Sequence, residues 1–207
     1  MSHFTNGDTS SKIKAIETAY RGYKFRSRLE ARWAIFFDTL HLKWVYEEEG
    51  FDFIDTPVVY CGDEILYTGY YLPDFYFPDL NYYVEIKGST ATQQEMYKCA
   101  ALSHIKDCTV FIFDSGMFLP GSTGFDFDAP YSSRFQKGEF SDYPMMWMKC
   151  DKCGKIDIAF DGWVHYSTQC RCYDDNNRKK TGGSNHIDIC SAYVKALSAR
   201  FEHGEQP

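Results

Sequence analysis

Two short runs, Tyr71-Leu72-Pro73-Asp74 and Tyr83-Val84-Glu85-Ile86-Lys87-Gly88, limit the fold more tightly than any other part of the chain. In a strand, side chains two apart share a face. Val84 and Ile86 then face one way, and Glu85 and Lys87 the other. If 71–77 is the neighbouring strand of a hairpin that turns through Pro78-Asp79-Leu80-Asn81, Asp74 comes beside Glu85. Two carboxylates and an ammonium are costly to desolvate for structure alone. They are the groups needed to hold a divalent cation and activate a water.

The elements around this hairpin follow from spacing. A helix is predicted from Ser27 to Leu40, with Ser27 as N-cap and Glu30 three residues on. Leu29, Trp33, Phe36, Phe37 and Leu40 form its apolar stripe. Glu30 falls at the shoulder of that stripe and is angled toward whatever the helix packs on. A capping interaction or a pair with Arg26 would account for Glu30 equally well. Strand runs follow at 42–46 and 51–53, with a further hairpin from 57–60 and 65–67 turning through Gly62-Asp63. After Gly88 a helix is expected from Thr90 to about Ile105, with Lys98 on its more exposed side. A buried strand is expected at 108–113, and the order is helix, strands, helix, strand. Residues 116–145, broken by Gly and Pro, read as an irregular connection. Residues 146–207 read as a small module that ends in a helix from about Ile187 to Phe201. The expected organisation is α/β: a core over 12–115, the connection, and the module.

The net charge of −7 argues against a nucleic-acid partner only if charge is evenly spread. It is not: residues 11–32 carry seven Lys or Arg against two Glu, and residues 149–200 carry nine against six Asp. No run of about 18 apolar residues is present, which excludes a membrane-spanning helix. The polar start of the chain has no signal-peptide core, so a cytoplasmic, intracellular location without disulfides is expected.

Taken together, Arg26-Ser27-Arg28-Leu29-Glu30-Ala31-Arg32-Trp33, Leu72-Pro73-Asp74-Phe75 and Val84-Glu85-Ile86-Lys87-Gly88 resemble the PD-(D/E)xK nuclease superfamily, with its restriction-endonuclease-like fold. The likeness spans roughly residues 20–115. It implies that Asp74, Glu85 and the Ile86 carbonyl hold Mg²⁺ or Mn²⁺, with Glu30 reaching the same shell. It implies that Lys87 orients the attacking water or stabilises charge on the phosphate. Lys24, Arg26 and Arg28 become candidate phosphate contacts, and Gln93 or Gln94 on the next helix a further one.

The cysteines divide into two groups. Cys150-x-x-Cys153 and Cys170-x-Cys172 have the spacing of a tetrahedral Zn²⁺ site. The tighter Cys-x-Cys half leaves Cys190, His165 or His186 as replacements for one ligand. Cys61, Cys99 and Cys108 are expected as small buried hydrophobes. Trp147, Phe160, Trp163, Tyr166 and Tyr173 interleave with the ligands, and Arg178-Lys179-Lys180 follows. That mixture suits nucleic-acid binding, and equally suits a small aromatic core around a metal.

The expected function is phosphodiester hydrolysis by a metal-dependent nuclease acting on DNA, with the zinc module aiding binding or folding. Compact size with a small added module resembles nucleases of phages and mobile elements. Cutting both strands of a duplex would call for a homodimer or a larger complex. The competing reading is a catalytically inactive adaptor of the same fold that binds nucleic acid or protein.

Overall fold

The structure is a computed structural model and describes residues 15–122, 129–160, 172 and 182–201. Its centre is a mixed sheet of ten strands. In chain order the elements are β1 (Thr18–Tyr20), β2 (Tyr23–Phe25), α1 (Arg28–Thr39), β3 (Val45–Tyr46), β4 (Phe51–Tyr60), β5 (Asp63–Tyr71), β6 (Phe75–Phe77), β7 (Tyr82–Ile86), α2 (Gln93–Ile105), β8 (Thr109–Phe113), β9 (Tyr131–Gln136), β10 (Glu139–Cys150), β11 (Ile156–Phe160), β12 (Gly182–Gly183) and α3 (Ile187–Ser198). The sheet runs β3-β6-β7-β8-β9-β10-β4-β5, with β11 and β12 also on β10, while β1 and β2 pair apart.

Strand β7 is buried along its whole length because both edges and both faces are covered. It pairs antiparallel with β6 and parallel with β8. The parallel pair needs a crossover, and α2 supplies it. Side chains that alternate along these strands sort into two cores. Val84, Ile86, Phe111 and Phe113 meet α1 and α3. Tyr83, Val110 and Ile112 meet α2, Phe51 and Phe53. The sheet therefore has α1 and α3 on one face and α2 on the other. The first core is rich in rings: Trp33 lies 4.9 Å from Phe113, and Phe36 4.3 Å from Tyr193. Fully burying a side chain of this size contributes about 1.5–3 kcal/mol.

Three expectations need correction. Residues 71–77 are not one strand: Tyr71 ends β5 against Phe51 of β4, and β6 begins only at Phe75. Pro73, with no N–H to give a ladder, lies in the break between them. The stretch 116–145 carries β9 and the first part of β10, which sit inside the sheet between β8 and β4. Residues 146–201 do not stand apart either, because Trp147 of β10 is fully buried against Phe36, Phe37 and Phe77. The amphipathic face of α3, with Ile189, Ala192, Tyr193 and Ala196, closes the same core. Trp147 Nε1 and the Tyr193 hydroxyl are buried in it without a hydrogen-bond partner among the described residues.

Cys99 and Cys108 are buried as expected, but Cys61 is exposed. It occupies the two-residue turn of the β4–β5 hairpin with Gly62, at φ 52° and 88°. Positive φ at both central positions matches the twist of the strands and holds the pair at the tip, away from any core. Lys137-Gly138 makes the same kind of turn between β9 and β10, at φ 54° and 82°. A side chain at Gly138 would also press on His104, 3.3 Å away.

Candidate functional site

The register of β6 on β7 builds the acidic site. Phe75 pairs with Val84, so Asp74 lies opposite Glu85 at the end of the strand. Both are 1% exposed. The Ile86 N–H donates to Asp74 Oδ2 at 2.7 Å, and the Tyr71 hydroxyl donates to Glu85 Oε2 at 2.9 Å. Burial first, then the charges of Glu85 and Glu30, hold the Asp74 carboxyl well above the usual carboxylate range. The Ile86 N–H and Arg26 pull the other way.

Lys87 follows β7 and reaches back to its own strand. Its Nζ lies 2.7 Å from Glu85 Oε1 and 2.9 Å from Glu95 Oε1. Burial disfavours the Lys87 ammonium, but Glu85 and Glu95 outweigh it and raise its pKa. Glu95 belongs to the start of α2. Its Oε2 accepts from the Thr92 N–H at 2.8 Å and the Thr92 hydroxyl at 2.9 Å, completing a capping box. Burial would raise the Glu95 carboxyl, but the Thr92 and Lys87 hydrogen bonds win and lower it to about 2.

On the other side, Arg26 pairs with Asp74 through Nη2 and with Glu47 through Nε, the latter at 2.8 Å. Glu30 is buried at the start of α1, and its oxygens accept from Ser27 Oγ at 2.7 Å, Tyr46 Oη at 2.6 Å and the Arg26 N–H at 3.0 Å. Glu30 is close enough to act on Asp74 electrostatically. Among the described residues, Glu30, Asp74 and Glu85 do not draw together as a three-carboxylate group.

The predicted residues are thus gathered unevenly. Asp74, Glu85 and Lys87 meet, and Arg26 meets them from the α1 side. Lys24 pairs with Glu17 at 2.6 Å on the surface. Arg28 is half-buried in the first turn of α1, and Gln93 and Gln94 are exposed in the first turn of α2. Sequence reasoning missed Glu95, Glu47 and Lys98. Lys98, expected on the exposed side, lies over the Tyr71 ring, with Nζ 3.6 Å from Glu85 Oε1. The Thr92-x-x-Glu95 spacing was a signal for the cap, and Lys98 follows one turn later on the same face. Glu47 carried no such signal.

The second site lies at the far end of β10. The Sγ atoms of Cys150, Cys153 and Cys172 all lie within 4.8 Å of one another. Thiolates about 2.3 Å from a shared Zn²⁺ would take a spacing of that order, so the group can hold a metal ion such as zinc. The knuckle is closed by backbone bonds from Gly154 N–H to Cys150 O, 2.8 Å, and from Cys150 N–H to Lys155 O, 2.9 Å. Cys170 and His165 lie outside the described residues. His186 is not in the group: its Nδ1 accepts the Asp188 N–H at 3.0 Å, capping α3, and its Nε2 lies 3.5 Å from Asp151. Cys190 is not in the group either. Of the aromatic residues, Trp147 is core, while Trp163, Tyr166, Tyr173 and the Arg178–Lys180 run lie outside the described residues.

The fold and sites define an α/β protein with a large mixed sheet, three helices among the described residues, and a cysteine group able to bind metal. No described helix is long and apolar enough to cross a membrane. Compared with protein-family models, with curated proteins and with solved structures, the chain matches none.

Proposed function

We propose that this protein is a metal-dependent nuclease of PD-(D/E)xK type that hydrolyses phosphodiester bonds in DNA. One observation carries the reading: the β6–β7 register sets two buried carboxylates side by side, with Lys87 next along the strand. Such a concentration of buried anionic oxygen suits a hard cation, and oxygen-only donors suit Mg²⁺ or Mn²⁺. Asp74, Glu85 and the Ile86 carbonyl would hold the ion, and Glu30 would add negative charge from α1. When bound, the ion would polarise the scissile phosphate and lower the pKa of a water.

The chain's own residues then have distinct tasks. The Ile86 N–H fixes the Asp74 carboxylate, and the Tyr71 hydroxyl fixes that of Glu85. Lys87, an ammonium between two carboxylates, brings positive charge to the place where charge develops on the phosphate. Gln94, at the exposed start of α2, and Lys24 and Arg28, near the start of α1, would meet flanking phosphates. In this reading Zn²⁺ on Cys150, Cys153, Cys170 and Cys172 fixes the end of β10.

A second reading has its own observation. Arg26 and Lys87 already compensate the two acids, which suits an inactive adaptor that binds nucleic acid or protein. Cleavage of single-stranded, double-stranded and branched DNA and of RNA, with Mg²⁺ against EDTA, separates the two. Mg²⁺-dependent DNA cleavage that Asp74→Asn abolishes supports the nuclease. DNA binding without cleavage under every metal supports the adaptor.

A further inference from the structure

Each candidate metal-binding acid shares a cation with a second acid, and Glu85 also has Lys98 Nζ 3.6 Å away. Asp74 pairs with Arg26, and the same guanidinium pairs with Glu47. Glu85 pairs with Lys87, and the same ammonium pairs with Glu95. In each case the inner acid has a side chain only 2% exposed, while the outer acid is about a quarter exposed, at 26% for Glu47 and 25% for Glu95. Each outer acid is pinned beside its inner partner. The Glu47 N–H donates to the Asp74 carbonyl at 2.9 Å, and Glu47 itself sits at φ 47°, which a glutamate adopts at a cost. Glu95 is fixed by both hydrogen bonds from Thr92.

We propose that Glu47 and Glu95 are positioning residues that hold Arg26 and Lys87 in reserve, so that Asp74 and Glu85 can turn their oxygens to a divalent cation without leaving either cation unpaired. The inference rests on one part of the nuclease reading, the binding of a divalent cation at Asp74 and Glu85, and assigns the rearrangement linked to it. An unpaired cation is costly in proportion to its burial, so the effect falls mainly on Lys87, whose side chain is 23% exposed, and less on Arg26, at 54%. A guanidinium has a fork of donors and an ammonium has three, so each can keep its outer acid while releasing the inner one. Without the outer charge, the inner acid is the remaining carboxylate paired with Arg26 or Lys87 among the described residues, and the cation must be driven off it.

The test is calorimetric titration of the full chain with Mn²⁺, with Asp74→Asn defining the binding that belongs to this site. Glu95→Gln is expected to weaken Mn²⁺ binding by about tenfold, the scale of partners that orient metal ligands, and Glu47→Gln by less, because solvent screens Arg26. In an Arg26→Met background the Glu47→Gln loss disappears, and in a Lys87→Met background the Glu95→Gln loss disappears. Equal losses with and without the cation would mean simple charge attraction and overturn the proposal. So would Mn²⁺ binding that Asp74→Asn does not reduce. Cleavage assays on the same samples keep the two readings apart. If the Mn²⁺ pattern holds and no nucleic acid is cut, the nuclease reading falls and this inference stands.

Discussion

The acidic site and the cysteine site differ in how much of each exists without a metal. Around Asp74 and Glu85, every carboxylate already has partners from the protein: an N–H, a tyrosine hydroxyl, an arginine and a lysine. Those partners come from β5, β7 and the segment before α1, all braced by the sheet or the aromatic core. Cys150 sits at the end of β10, Cys153 in the exposed turn after it, and Cys172 is brought to them from a distant part of the chain. Backbone bonds shape the knuckle, but no described disulfide ties the thiols together. A metal at the acidic site would compete with internal cations, so its loss leaves structure behind. A metal at the cysteine site adds its binding energy to folding.

This contrast can be broken at several points. The largest effect is expected on activity. Asp74→Asn, Glu85→Gln and Lys87→Met should each lower DNA cleavage by at least about a hundredfold, while circular dichroism and the melting temperature stay close to wild type. Collapse of the fold in all three would show that the acidic site is structural. Next comes the cysteine site. Cys150→Ser or Cys153→Ser should release zinc, measurable by elemental analysis, and cost about 3 kcal/mol, a fall in Tm of roughly 6–12 °C. An unchanged Tm with zinc absent would remove the distinction between the sites.

A smaller effect tests the start of α2. Thr92→Ala loses the N-cap and should cost about 1 kcal/mol in urea unfolding. The same region also carries a pH effect, at Glu95. Its carboxyl is lowered to about 2 in the folded protein, against an ordinary glutamate value of 4.5. Its contribution is therefore complete above 4.5 and is lost as pH falls toward 2. The stability gap between wild type and Glu95→Gln should close across that window. A gap that persists at pH 2 would mean that the charge on Glu95 is not what holds Lys87.

Since Trp147 and α3 belong to the main core, deleting 146–207 would expose α1 and cannot serve as a binding test. Replacing Arg178, Lys179 and Lys180 with alanine is the cleaner experiment. Weaker DNA binding with a smaller salt dependence is expected if this run contacts phosphates.

The β6–β7 hairpin was legible because a period of two puts Val84 and Ile86 on one face and Glu85 and Lys87 on the other, although both faces of β7 are buried. Helix α1 was legible from Ser27, Glu30 and the ring spacing, although its buried surface, with Ala31, Ala34 and Ile35, is wider than the stripe. Strands β9 and β10 were not legible. In Tyr131–Gln136 only Ser132 and Phe135 are buried, so the run has no clear apolar alternation. The Lys137-Gly138 turn was the available sign, but Pro and Gly nearby masked it. Asp74 and Glu85 were readable as a pair because neighbouring strands bring them together. Glu47 and Glu95 were not readable as their counterparts, since that relation exists only after Arg26 and Lys87 cross between elements.

The strand order also sets a timetable. Strands β4 and β5 are among the first parts of the sheet to leave the ribosome, and they can pair at once as a local hairpin. Their place in the sheet depends on β10, which joins β4 in parallel at Glu139 and Val59. Until residue 139 has been made, the inner edge of β4 is an open row of backbone donors and acceptors. Helix α2, which packs on β4 from one face, is complete by residue 105 and can hold the hairpin during that interval. The piece built early is thus locked late, by a pairing between Val59 and Glu139, 80 residues apart in the chain.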